Sequence, residues 1–298
     1  MSGFTHATGP GFFGGLTPLQ LARRTWAQAS ENQLTVHASA AAYYALTALV
    51  PFIGLLVTLA AHLVPDITGG SGETGPGGMT VEEFRLMLSR QLPDEAYQVV
   101  AREIARIQKQ PPVGLLSVGL VVTLWLSSSI SGTIIEASNR ILGLPETRPY
   151  WWLVVRSAGL TLVEAVIILG SMFLLAVWPE LRGPHGWGPA GGLVGTLVEW
   201  LVVTVGTLLS FSVAAKFGPN IRRPWAFVTP GSLIGTVALI SSTLLLRLYI
   251  RSFGNYDKTY GSLAGVMLLA LFFWVAAMIL LLAVQVDKVI EDGKGMQP

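Results

Sequence analysis

Residues 151–177 read WWLVVRSAGLTLVEAVIILGSMFLLAV, and this stretch decides the fold. Its only ionisable side chains are Arg156 and Glu164. A helix rises about 1.5 Å per residue, so the run is long enough to cross the ~30 Å hydrocarbon core of a bilayer. Its polarity does not alternate, as a lipid-facing barrel strand would. A membrane-spanning helix is therefore the structure that satisfies its backbone in lipid.

Working outward, five more apolar runs appear: Val36–Leu63, Val113–Ile130, Pro189–Ala214, Trp225–Ile250 and Gly261–Val286. The second of these continues past the membrane edge through Glu136 and Asn139 toward Ile141. The expected fold is all-α, a polytopic bundle of about six transmembrane helices. Composition agrees: 52% of the 298 residues are hydrophobic and 12% are charged. Soluble domains carry roughly 25% charged residues. The mean hydropathy is +0.59. There is no cysteine, which excludes disulfide and thiolate chemistry.

Residues 1–35 read as an N-terminal arm. Thr17-Pro18 is an N-cap followed by proline at the first helical position. Leu19, Ala22 and Trp26 lie on one side of the helix that follows and Arg23 and Arg24 near the other, which predicts an interfacial helix. Residues 36–291 form the membrane domain, with an insertion at 65–112, and 292–298 form a tail. Within the insertion, Thr80 and Glu83 fit a capping box, and Phe84, Met87 and Leu88, then Tyr97, Val100, Ile104 and Ile107, make two amphipathic stripes. That segment is either a lid or a gate.

Loop charges set the orientation. With the N-terminus in the cytoplasm, the inner segments hold nine Lys and Arg and the two short outer loops hold three. Both termini are then cytoplasmic.

Ionisable groups at membrane depth are the first candidates for function. Counting inward from each helix end puts Glu164 and Glu199 both near mid-membrane, where two carboxylates could bind a cation or relay protons. Each could equally be satisfied by a neighbouring hydroxyl. Arg156 and Arg247 read as interfacial anchors that reach back to headgroups. Ser127, Ser128, Ser129, Ser131 and Thr133 let helices approach and hydrogen-bond, or begin a polar path to Glu136 and Asn139. Pro51 should kink the first span, two turns after Tyr43 and Tyr44. Gly191-Gly195, Gly231-Gly235 and Gly261-Gly265 have the spacing of close helix contacts. No phosphate-binding glycine loop is present, and the four histidines are isolated, so neither a cofactor nor a metal site is expected.

Three stretches carry a family resemblance: His37–Pro51 (HASAAAYYALTALVP), Asn139–Trp151 (NRILGLPETRPYW), and Lys216–Trp225 (KFGPNIRRPW), the last continued by Phe253–Val266 (FGNYDKTYGSLAGV). Together they resemble the YihY/BrkB family of bacterial inner-membrane proteins, over about Leu21 to Glu291. The resemblance implies a six-helix inner-membrane protein whose activity is not established in the family. Some members carry a ribonuclease BN label, others a virulence or serum-resistance label. A metal-dependent ribonuclease needs clustered His and Asp ligands and a basic stripe interleaved with aromatics, and neither pattern is here. No enzyme activity and no nucleic-acid partner are expected.

Two readings remain. In the first, the protein is a transporter or a lipid- and envelope-handling protein, with Tyr43, Tyr44, Glu136, Asn139, Glu164, Glu199, Asn220, Asn255 and Tyr260 along a polar path. In the second it is a non-catalytic scaffold that holds envelope proteins through 65–112. Membrane lipids are partners in either.

Overall fold

The computed structural model describes the backbone of residues 15–63, 112–182, 188–221, 227–252 and 263–295. The insertion at 65–112 with its two expected helices, and the candidates Asn255 and Tyr260, lie outside the described residues. Seven helices and no strand occur among the described residues. They are α1 (Pro18–Glu31), α2 (Leu34–Leu63), α3 (Pro112–Ile141), α4 (Tyr150–Arg182), α5 (Gly188–Phe217), α6 (Pro230–Ser252) and α7 (Leu263–Gly293). Windows in α4, α5, α6 and α7 are long and apolar enough to cross a membrane. The other two expected spans fall on α2 and α3, each 30 residues long. The second span does run on to Ile141, and Pro51 lies inside α2, which continues through it. The fifth span starts later than expected, at Pro230, because Thr229 and Ser232 cap one another there.

The chain divides into two compact units. One holds Met1–Ala41, Ser128–Arg247 and Trp274–Pro298; the other holds Ala42–Ser127 and Leu248–Phe273. In the second, Tyr43 and Tyr44 meet edge to face at 5.7 Å, Tyr43 is exposed, and the Thr47 hydroxyl donates to the Tyr43 carbonyl.

Among the described residues the buried clusters lie in the first unit. Ala38 and Ala41 of α2 pack with Ile134, Ala137 and Ile141 of α3 and with Met278, Leu281 and Val284 of α7. A second cluster joins Ile135 of α3, Leu160 of α4 and Val213 of α5. A third seats Leu21 of α1 on Val286, Val289 and Ile290 of α7. The small residues at these contacts let backbones approach, which is how helices associate where lipid is as apolar as leucine. The clearest case is α6 against α7. A Cβ on Gly231 would sit 2.7 Å from Cγ of Asp287 and closer still to the Ala283 carbonyl. One on Gly235 would sit 2.9 Å from the Ala283 methyl. At Gly265 nothing lies within 4 Å of an added Cβ, and Gly261 lies outside the described residues.

Candidate functional site

The site is built where α3, α4 and α5 meet. α3 ends in a turn with Gly143 in the left-handed region at φ 66°, open around its Cβ, so conformation rather than space calls for glycine. Leu144 N–H donates to the Asn139 carbonyl at 2.9 Å and closes the turn. This aims residues 145–149 back across the end of α5. Asn139 is buried, and both ends of its side chain are used. Its Oδ1 accepts the backbone N–H of Asn220 at 2.6 Å, and its Nδ2 donates to Oε2 of Glu146 at 2.7 Å. The Asn220 amide donates in turn to the Pro145 carbonyl at 3.2 Å and to Thr147 Oγ1 at 2.9 Å. Arg148 grips Glu146 with both Nε and Nη2 at 2.6 Å, a two-pronged contact that fixes the geometry of both groups. Those contacts hold the Glu146 carboxyl below the usual glutamate range, against the opposing pull of burial. Asn139 and Asn220 are thus brought together, as one knot. Glu146 and Arg148 completed it unforeseen; the signal was the close sequence pairing of a carboxylate with an arginine in a short turn.

Next to the knot, α4 and α5 pack antiparallel along their length. Arg156 Nε donates to the Phe217 carbonyl at 2.7 Å and places a cation on the C-terminus of α5. Two turns further along α4, Glu164 is hydrogen-bonded to Ser210 of α5. Beyond that, a Cβ on Gly206 would meet Ser171 Oγ at 2.6 Å. These three rungs fix the register and correct the expected level of the two carboxylates. Glu164 sits opposite Ser210, whereas Glu199 lies eleven positions from Ser210 on α5, about 16 Å along the axis. α4 and α5 are 33 and 30 residues long and overhang a ~30 Å core, so depths counted from opposite ends do not share an origin. Glu199 is half-buried and has its own interaction.

A seam of hydroxyls leads to Glu164. Ser131 of α3 and Thr161 of α4 are 2.7 Å apart. Thr161 also donates to the Ser157 carbonyl, and Ser157 to the Leu153 carbonyl. Ser157 comes 3.4 Å from the position of a Cβ on Gly132, so α3 and α4 touch through small residues. Thr161 and Glu164 are three apart and share a face of α4. Ser131, Thr161, Glu164 and Ser210 therefore form one polar line across three helices that are otherwise joined by Ile135, Leu160 and Val213.

The remaining candidates stand apart from this line. Glu136 is exposed on α3, close enough to His37 of α2 to act on it electrostatically, with Arg140 beside them. Arg247 is exposed on α6. Among the described residues no group of three or more His, Asp or Glu could hold a metal ion.

Two buried polar contacts went unread in the sequence. Gln285 of α7, fully buried, accepts from Asn32 at 2.8 Å and donates to Gln28 at 2.7 Å, tying the last turn of α1 and its C-cap to α7. Asp287 accepts the Gly231 N–H at 2.7 Å at the start of α6. An amide or carboxylate inside an apolar helix signals a partner but does not name it.

The family described as Virulence factor BrkB matches residues 25–297. A relative in Bacillus subtilis, named putative ribonuclease-like protein YfkH, is 24% identical over 85% of this chain and 88% of its own length. A UPF0761 membrane protein of Alteromonas mediterranea is 26% identical over 82% of this chain and 78% of its own. Another from Cronobacter sakazakii is 24% identical over 91% and 89%. No solved structure matches.

Proposed function

We propose, from the premise that this chain belongs to the BrkB family of membrane proteins, that it is a transporter or a lipid- and envelope-handling protein of the bacterial inner membrane. Both termini lie in the cytoplasm, on the strength of the lysine and arginine bias of the loops. The knot of Asn139, Asn220, Glu146 and Arg148 then faces the cytoplasm, and the line through Ser131, Thr161, Glu164 and Ser210 leads from it into the membrane.

The observation that carries this reading is the contact of Glu164 with Ser210. A carboxyl on an apolar spanning helix is costly, and such groups mark ion, proton or substrate paths. Here it is hydrogen-bonded to the Ser210 hydroxyl, a neutral group that a proton, a cation or a lipid headgroup can replace. Nothing in this reading involves hydrolysis. The carboxylate of the knot, Glu146, is committed to Arg148 and Asn139.

Reconstitution into liposomes tests it, with fluorescent phospholipids and trapped pH- and cation-sensitive dyes as probes. The wild type is expected to move at least one of these above protein-free liposomes, and Glu164→Gln to lose that movement while still inserting. Wild-type vesicles as tight as empty ones to every probe would contradict the proposal.

A further inference from the structure

α1 divides into three stripes. Leu21, Thr25 and Ala29, four apart, are buried in the protein, with Leu21 and Ala29 in its hydrophobic clusters. Its rotation about its own axis is fixed once more, by Gln285 of α7, which holds Gln28 and Asn32. With that rotation fixed, Leu19, Ala22 and Trp26 emerge about a quarter-turn round the helix from the docked stripe. Leu19 is 80% exposed and Trp26 is 67% exposed. A third stripe, Gln20, Arg24, Ala27 and Glu31, is exposed on the side away from both. Arg23 flanks the exposed apolar stripe.

A helix that buried its whole apolar content would leave no such stripe. This one presents a leucine and a tryptophan outward beside Arg23, at the end of the unit where the N-terminal part of α2, the C-terminal part of α3 and the C-terminal part of α7 come together. α3 runs through a short turn into α4, whose first residues Tyr150, Trp151 and Trp152 are all exposed. Aromatic side chains gathered at one end of a spanning helix mark the level of the headgroups. The α1 stripe and this aromatic group therefore belong to the same end of the molecule.

We infer that α1 is a membrane-reading helix. Its Leu19–Ala22–Trp26 stripe enters the acyl boundary of the adjoining leaflet, and Arg23 at its edge meets anionic lipid headgroups. Apolar burial supplies the attachment and the Arg23 guanidinium supplies the preference for negative lipid. The inference is independent of any transported species and stands or falls on the position of one helix.

The chain has no cysteine, so single introduced cysteines carry a nitroxide label to chosen places. Full-length Leu19→Cys, Trp26→Cys, Gln20→Cys and Ala27→Cys are reconstituted into phosphatidylcholine liposomes with and without phosphatidylglycerol. Collision with oxygen, which concentrates in lipid, is compared with collision with a water-soluble nickel chelate. Labels at 19 and 26 are expected to favour oxygen and those at 20 and 27 the chelate. The label at 26 is expected to shift deeper when phosphatidylglycerol is present, and Arg23→Glu to abolish that shift. Equal depth in both lipids would overturn the assignment to anionic lipid. Labels at 19 and 26 as open to the chelate as the one at 27, or shielded from both reagents as under a protein partner, would overturn the membrane assignment.

Discussion

Asn139 and Asn220, 81 positions apart, are joined by a 2.6 Å hydrogen bond from the Asn220 backbone to the Asn139 side chain. The bond ties the end of α3 to the turn after α5, and the other half of the Asn139 amide holds Glu146. Two stretches that carry the family resemblance, 139–151 and 216–225, are therefore parts of one structure rather than separate motifs.

Asn139→Ala should destabilise the protein by about 2–3 kcal/mol, since it strands a buried N–H and removes a bond to a carboxylate. Asn139→Asp keeps the acceptor for Asn220 but sets a second carboxylate against Glu146. It should be as damaging at neutral pH and partly recover in acid. Thermal unfolding in detergent across pH measures both.

Glu146 makes the acid limb of stability predictable. Its carboxyl is held below the usual glutamate range, chiefly by the hydrogen bond from Arg148. A depressed folded value means that its stabilisation is present above the unfolded value and disappears as pH falls through the folded one. Wild type should therefore be more stable than Glu146→Gln at pH 7. The two should converge only as pH falls below the usual glutamate range and through the depressed folded value. A gap that persists unchanged at low pH would show that Glu146 contributes through packing instead.

Gly231→Ala and Gly170→Ala should separate sharply. A Cβ at 231 meets the Asp287 carboxyl at 2.7 Å, so α6 must leave α7, at a cost of about 3 kcal/mol or more. Nothing lies within 4 Å of a Cβ on Gly170, and there alanine should be neutral or stabilise by up to about 1 kcal/mol through helix propensity. The unfolding midpoints of the two purified variants report this directly.

Gln285→Leu should free α1 without unfolding the bundle. It removes both amide bonds to the last turn of α1 and its C-cap but keeps an apolar side chain beside Leu281 and Val289. Hydrogen exchange of Pro18–Glu31 should speed up by about tenfold or more, as expected when hydrogen bonds worth ~1–2 kcal/mol are lost, while α7 keeps its protection.

The helices were legible in the sequence because hydrophobic runs bounded by caps are a local signal. Thr17-Pro18 could be read for the same reason, its cap being set by neighbours in the chain. The relative level of Glu164 and Glu199 was not legible. It depends on which residues of α4 and α5 lie opposite one another, and that register is fixed by Arg156 on Phe217 and Ser171 on Gly206, which no local pattern encodes. Gln285 was missed for a related reason: one amide in an apolar helix looks the same whether it faces lipid, a cavity or, as here, Gln28 and Asn32.

Water access to the α4–α5 pair decides whether a polar path reaches Glu164. Single cysteines at Ser210 and Thr161, beside the carboxyl, and at the lipid-facing control Leu169 are treated in sealed vesicles with a charged, membrane-impermeant thiol reagent. The path predicts rapid modification at 210 and 161 and none at 169. Cysteines at 210 and 161 that react only with a membrane-permeant maleimide would mean a dry helix interface at Glu164, and would contradict the account.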